Sequence, residues 1–213
     1  MHAIGRRNLL LSAAAAALLA ACGGSAGGAG VTADDVVLGD ANAPVTLIEY
    51  ASTTCPHCAT FHAEAWEQLK TNYIDTGRVR FIFREFPTPP EAVAVAGFQI
   101  ARCGGASPDQ YFVRVTELFR QQQATFATGS MDGVRRKLLE IGQAAGLSEA
   151  QVNECINDTE GAARIRRIQA ESREHNVTGT PTLIINNTTY SGALNYESLS
   201  TALDAAGAAR TSG

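Results

Sequence analysis

Cys55 and Cys58, in the run Cys55-Pro56-His57-Cys58, are the residues whose types and spacing point most directly to chemistry. Two thiols so placed can form and break a disulfide by attack of a thiolate on sulfur. Which sulfur attacks depends on the backbone around it. An apolar run, Val45 to Tyr50, precedes the pair, and Pro56 stands where a helix would open, a position at which its missing N–H costs nothing. Such a turn sets Cys55 at a helix N-terminus, where free N–H groups and the positive dipole end stabilise a thiolate, and holds Cys58 one turn inside. Cys55 is the expected reactive sulfur, with His57 a donor or positive charge beside it. Half a zinc site would share this spacing, with His57 and His62 close by, but no second Cys-x-x-Cys or His pair completes it, so no metal is expected. His62 and His175 read as solvated helix residues.

The elements that must position these thiols are legible on either side. Val45 to Tyr50 suits a strand buried on both faces. Phe61, Ala65, Leu69 and Tyr73 recur at every fourth residue along the helix after it, which Gly77 stops, and Val79 to Phe83 alternates as a second strand. Residues 45–86 therefore read as a βαβ unit. An all-helical stretch follows. Its helices carry the stripes Val93, Ala96, Ile100 and Cys103; Phe112, Val115 and Phe119; Val134, Leu138, Ile141 and Ala145; and Val152, Cys155 and Ile156. Gly104-Gly105 and Gly146 end two of these, and capping-box patterns at Ser107 and Ser148 open two. A helix from about Glu160 to His175 leads to Thr182 to Ile185, which with Asn186-Asn187 and Thr188 to Tyr190 reads as a hairpin. A last helix runs from Tyr196 to Ala206.

The remaining cysteines bear on compartment. Arg6 and Arg7 precede the apolar stretch Leu9 to Ala21, which is too short for the roughly 18 residues that span a bilayer, so residues 1–21 read as an export signal. Leu19-Ala20-Ala21-Cys22 resembles the bacterial lipobox, which makes Cys22 the expected lipidated first residue of the mature chain; cleavage nearby by ordinary signal peptidase is the alternative. The twin arginine leaves the export route open. Residues 22–35, rich in Gly, Ser and Ala, read as a flexible linker. Cys55, Cys58, Cys103 and Cys155 are then an even number in an oxidising compartment, and three pairings are open. Cys103 and Cys155 lie on apolar stripes, so two buried inert thiols are one reading of them. The 213-residue chain, 45% hydrophobic and 18% charged, has the composition of one globular domain, and its net charge of -4 lacks the basic footprint of a nucleic-acid binder.

The strand, the Cys-Pro-His-Cys helix start, the helical stretch and the later Val177-Thr178-Gly179-Thr180-Pro181-Thr182 together resemble the DsbA-type thiol:disulfide oxidoreductases of the bacterial periplasm. The resemblance covers about residues 36–206. It implies an α/β thioredoxin fold over 36–86 and 160–207, with an inserted helical domain over 87–159. It further implies a cis Pro181 facing Cys55, Thr180 offering its backbone to an extended substrate, Glu49 as a buried acid relaying protons to Cys58, and a low Cys55 pKa. Some members carry an extra disulfide in the helical part, which favours a structural Cys103–Cys155 bridge. The implied activity is disulfide donation to unfolded exported proteins, with reoxidation by a DsbB-type membrane partner and no metal or organic cofactor. Two features depart from the best-known members: the lipidated Cys22, which would make a lipid anchor the sole membrane attachment in the periplasm, and Thr180 where some strong oxidases have Val. Two rivals remain: a reductase or isomerase using the same thiols, and a lipoprotein chaperone or binding module whose thiols are incidental.

Overall fold

The structure is a computed structural model that describes residues 30–209. The signal segment, Cys22 and most of the linker lie outside the described residues.

Five strands form one mixed sheet, β1 (Val36–Leu38), β2 (Val45–Ala51), β3 (Val79–Glu85), β4 (Thr182–Ile185) and β5 (Thr188–Thr189), in the order β1-β3-β2-β4-β5. The central β2 runs parallel to β3, with Val45 opposite Val79, and antiparallel to β4, with Glu49 opposite Leu183. The period of two along β2 divides its side chains between two cores. Val45, Leu47 and Ala51 join Phe81 and Phe83 in the larger core, whereas Ile48 and Tyr50 join Ile82, Ile168 and Ile184 in the smaller one. Glu49 shares the parity of Leu47 and Ala51 and so points into the larger core.

The helix after β2 is one rod over 56–74. Helices α1 (Pro56–Phe61) and α2 (Glu67–Leu69) are joined and continued by wide π-type turns at His62–Trp66 and Lys70–Ile74. A strict α-helix of 3.6 residues per turn would carry a four-residue repeat steadily round its surface. The wider turns offset that drift, and Phe61, Ala65, Leu69 and Tyr73 are all buried on the sheet. Gly77, with φ 72°, ends the rod.

Five helices are inserted before the chain returns to the sheet: α3 (Glu91–Arg102), α4 (Pro108–Arg120), α5 (Gln122–Phe126), α6 (Met131–Ala144) and α7 (Glu149–Ile156). Both expected capping boxes are formed, Ser107 with Gln110 and Ser148 with Gln151. Cys103, just past α3, and Cys155, on α7, form a disulfide with their Cα atoms 5.7 Å apart. Helix α8 (Thr159–Glu171) covers the opposite sheet face, and α9 (Tyr196–Leu203) packs beside the rod through Leu199 and Leu203. Asn186 and Asn187, with φ 50° and 87°, make the β4–β5 turn, the left-handed pair that a two-residue hairpin loop requires.

Two elements were not anticipated from the sequence. β1 is three residues long, below the length at which alternation can be read, and pairs antiparallel with β3. It is held by charge: Asp35 accepts from Arg84 Nε at 2.9 Å in a nearly fully buried ion pair, and Arg84 also donates to Tyr50 Oη at 2.8 Å. Helix α5 has no side-chain N-cap and only five residues, too few to show a stripe.

Candidate active site

Between the end of β2 and the rod lies the segment Ser52–Thr54, buried although every side chain is polar. Buried hydroxyls need partners, and these find them across the fold. Ser52 Oγ accepts from Thr88 N at 3.0 Å, Thr54 Oγ1 donates to Thr88 O at 2.8 Å, and Thr53 Oγ1 donates to Ala94 O at 3.3 Å. Gln122, on α5, donates its side-chain Nε2 to Thr53 O at 2.8 Å and Cys55 O at 3.1 Å. Gly97 on α3 is needed for this approach, since a Cβ there would lie 2.7 Å from Thr53 Oγ1. The insertion thus grips the backbone that carries the first thiol.

Cys55 is the N-cap of α1 and Pro56 its first residue. The two thiols are reduced and buried, and their surroundings drive them apart. Cys55 is lowered to about 5, first by its hydrogen bond with Cys58, against the opposing effect of burial, and then by Thr180 and the backbone N–H groups of Cys58 and His57. Cys58 is pushed far above the ordinary thiol range, chiefly by burial, then by the same hydrogen bond and by the charge of Glu49. The His57 side chain is exposed, and what reaches Cys55 is its backbone N–H.

The Thr180–Pro181 peptide bond is cis and lies against Cys55 across 125 residues of sequence: as a thiol, Cys55 Sγ donates to Thr180 O at 3.2 Å. The Thr180 hydroxyl is buried without a hydrogen-bond partner in the protein, and Thr180 acts to lower Cys55.

His62 corrects the sequence expectation. It is not a solvated helix residue: 5% exposed, it holds its Nε2 at 3.2 and 3.1 Å from the two oxygens of the fully buried Glu49. Its ring lies against Phe119 at 4.4 Å and Trp66 at 5.1 Å between centroids. Burying a carboxylate beneath the rod demands a partner, and the i+4 position from the buried Cys58 provides one. That spacing was the signal available in the sequence. For Gln122, far away on an unanticipated helix, there was none. His175 is half-buried, 6.3 Å from Tyr50 between ring centroids. No group of three or more His, Cys, Asp or Glu side chains that could hold a metal occurs among the described residues.

A groove of about 850 Å³ runs between the rod and helices α4 and α5, lined by Pro56, Ala59, His62, Trp66, Phe119 and Gln122 among others. It reaches from the helix start beside Cys55 to the His62 ring.

Comparisons with known proteins agree with this geometry. A family model described as Thioredoxin matches residues 31–205. A Rickettsia conorii protein named "putative protein-disulfide oxidoreductase" is 32% identical over 177 residues, which are 83% of this chain and 61% of that protein, so the chain spans about three fifths of that relative's length. A Bacillus subtilis protein named "disulfide bond formation protein D" is 22% identical over 163 residues, 76% of this chain and 72% of that protein. Among solved structures, alpha-DsbA1 of Wolbachia pipientis superposes with a TM-score of 0.73 at 25% identity, over 82% of this chain and 92% of that one. Oxidised BdbD of Bacillus subtilis, at 20% identity and a TM-score of 0.68 over 81% of this chain and 92% of that one, shares the fold.

Proposed function

The chain belongs to the thioredoxin family, and from that premise we propose that it is a DsbA-like protein-disulfide oxidoreductase working as a disulfide donor through Cys55 and Cys58. The observation that carries this reading is the opposite treatment of the two thiols: Cys55 is held at about 5, while burial and Glu49 push Cys58 far up.

The reaction follows from that asymmetry. A substrate thiolate attacks Cys55 Sγ of the Cys55–Cys58 disulfide; the S–S bond breaks, and its electron pair goes to Cys58 Sγ, which takes a proton. Glu49, whose charge already acts on Cys58, relays that proton. The mixed disulfide lies beside Pro181, with the Thr180 backbone facing the substrate chain. A second substrate thiolate attacks the substrate's own sulfur, and Cys55 departs as a thiolate, which its low pKa makes a good leaving group. The substrate gains a disulfide, and the protein keeps two electrons as the Cys55 thiolate and Cys58 thiol. A DsbB-type membrane partner is the proposed acceptor of those electrons.

On this reading the substrates are unfolded exported proteins, and the site is periplasmic, tethered by a lipid on Cys22. The sequence of residues 1–22 supports that placement, and no helix of the described residues is long and apolar enough to cross a membrane. Residues 36–86 and 160–207 form the catalytic part, with 87–159 inserted to grip it, and the Cys103–Cys155 disulfide is structural.

The test is exchange with a reduced, unstructured two-cysteine peptide. Oxidised protein is expected to convert it stoichiometrically to its disulfide, and Cys55→Ser and Cys58→Ser, neither of which can hold the active disulfide, to leave it reduced. Activity that survives in Cys55→Ser would instead favour a binding module whose thiols are incidental.

A further inference from the structure

Four arginines lie on α8 and the short 3-10 turn that continues it, Ser172–His175, and they fall into two pairs. Arg164 faces Glu85 at 3.5 Å, and Arg167 donates to both oxygens of Asp34 at 2.8 and 2.9 Å. Arg166 and Arg173 make no ion pair and no side-chain hydrogen bond among the described residues, and Glu171 and Glu174 on the same stretch pair with neither. Spaced at i, i+3 and i+7, Arg166, Gln169 and Arg173 share one helix face. All three line a pocket of about 420 Å³, to which Phe86 and Val177 give an apolar wall. The pocket lies at the active-site end of the sheet. Phe86 N donates to Ala51 O at 2.9 Å, four residues before Cys55. Val177 stands three residues before Thr180, whose carbonyl meets Cys55 Sγ, and three residues of chain reach at most about 10 Å.

We propose that this pocket takes a carboxylate-bearing segment of the substrate polypeptide, so that the protein prefers cysteines flanked by Asp or Glu. The proposal rests on the reading that a substrate chain crosses Thr180 and Pro181 to reach Cys55, and it names the class of substrate for that site. A guanidinium presents forked N–H donors that match the two oxygens of a carboxylate, and both of these forks are uncommitted. The methylenes of a glutamate have Phe86 and Val177 to lie against, and the Gln169 amide is available to the peptide backbone. Arg166 and Arg173 stand about two helical turns apart, on the order of 10 Å, which an extended chain covers in about three residues. One short acidic segment therefore reaches both. The net charge of the chain is -4, so an acidic segment gains nothing from the protein as a whole, and its attraction must come from this local, uncompensated pair. In the groove between the rod and helices α4 and α5, by contrast, Arg120 is already bound to Glu117 at 2.7 and 2.6 Å.

The test uses reduced two-cysteine peptides that differ only in the residues on both sides of the attacking cysteine, Glu in one and Gln in the other. The rate of disulfide transfer from the oxidised full chain is measured at pH 7 and low salt, and the quantity read is the ratio of the Glu-peptide rate to the Gln-peptide rate, which cancels any difference between the peptides' own thiols when proteins are compared. Arg166→Gln/Arg173→Gln is expected to lower that ratio about fivefold relative to the parent protein, and salt at about 0.5 M to lower the parent's ratio in the same direction. Arg135→Gln/Arg136→Gln, which removes the same charge from exposed positions on α6, is expected to keep the parent's ratio. Arg166→Glu/Arg173→Glu should go further and turn the preference toward a Lys-flanked peptide, a reversal that a merely structural role would not produce. A ratio unchanged in the pocket variants, or lowered equally by the α6 variant, overturns the proposal. Failure of the parent protein to oxidise either peptide defeats the oxidoreductase reading itself, and the proposal with it.

Discussion

Cys55 and Cys58 have the same side chain and sit within one turn of one helix, so their difference must come from what surrounds each sulfur. Cys55 is lowered first by its hydrogen bond with Cys58, then by Thr180 and backbone N–H groups, while Cys58 meets burial and the Glu49 charge. The thiolate absorbance of the reduced protein is therefore expected to titrate with a midpoint near 5, far below the roughly 8.5 of an ordinary thiol. Thr180 acts to lower Cys55, so Thr180→Val should raise that midpoint. A midpoint unmoved in Thr180→Val would show that the hydroxyl does not act on the thiolate. The positions of these residues were legible in the sequence to different degrees. Cys55, Pro56 and Cys58 declare themselves because a helix start is a local event. His62 did not, because a histidine becomes buried through what packs over it, here Phe119 from an insertion nearly sixty residues away in the chain.

At the scale of elements, the insertion does two separable things. Through Gln122 it holds the backbone of the catalytic turn. Gln122→Leu leaves the buried Thr53 carbonyl without that donor, which should cost about 1 to 3 kcal/mol in urea unfolding. It should also broaden the titration of Cys55, because the turn that positions it is loosened. Through Cys103–Cys155 the insertion staples α3 to α7 across a sequence separation of 52, and loop-closure entropy puts the loss in Cys103→Ala/Cys155→Ala at about 4 kcal/mol. That double variant should keep the Cys55 midpoint near 5. A changed midpoint would tie the second disulfide to the chemistry. Helices α3, α4, α6 and α7 could be read from caps and stripes, because those signals lie within each helix. The position of α5, and with it the Gln122 contact, could not, since it depends on how the helices pack together.

For the whole molecule, the redox state and the fold are linked through the same thiolate. Cys55 is only 7% exposed, and its folded pKa lies below its unfolded value. Its contribution to the reduced protein is thus fully present above the unfolded pKa of about 8.5 and is lost as pH falls through about 5. At pH 7 about 2 to 3 kcal/mol of it remains, and the disulfide form has no thiolate to lose. The melting temperature of the reduced protein, relative to the oxidised one, should accordingly rise by about 5 to 10 °C between pH 4 and pH 7. A difference independent of pH would place the stabilisation elsewhere. The fold class was legible because a buried apolar run, a four-residue stripe and an alternating strand make one βαβ unit. The sheet order was not, as it depends on β1 and on how β4 reaches the edge of β2.

The most direct measurement is the reduction potential of Cys55–Cys58 at pH 7, by equilibration with glutathione buffers and thiol trapping. Thioredoxin, whose attacking thiol has a pKa near 7, stands at about −270 mV, and each unit of lowering adds about 30 mV. With Cys55 at about 5, a disulfide donor is predicted to lie at about −210 mV or above. A value at or below about −270 mV would contradict disulfide donation and assign these thiols to a reductase or isomerase.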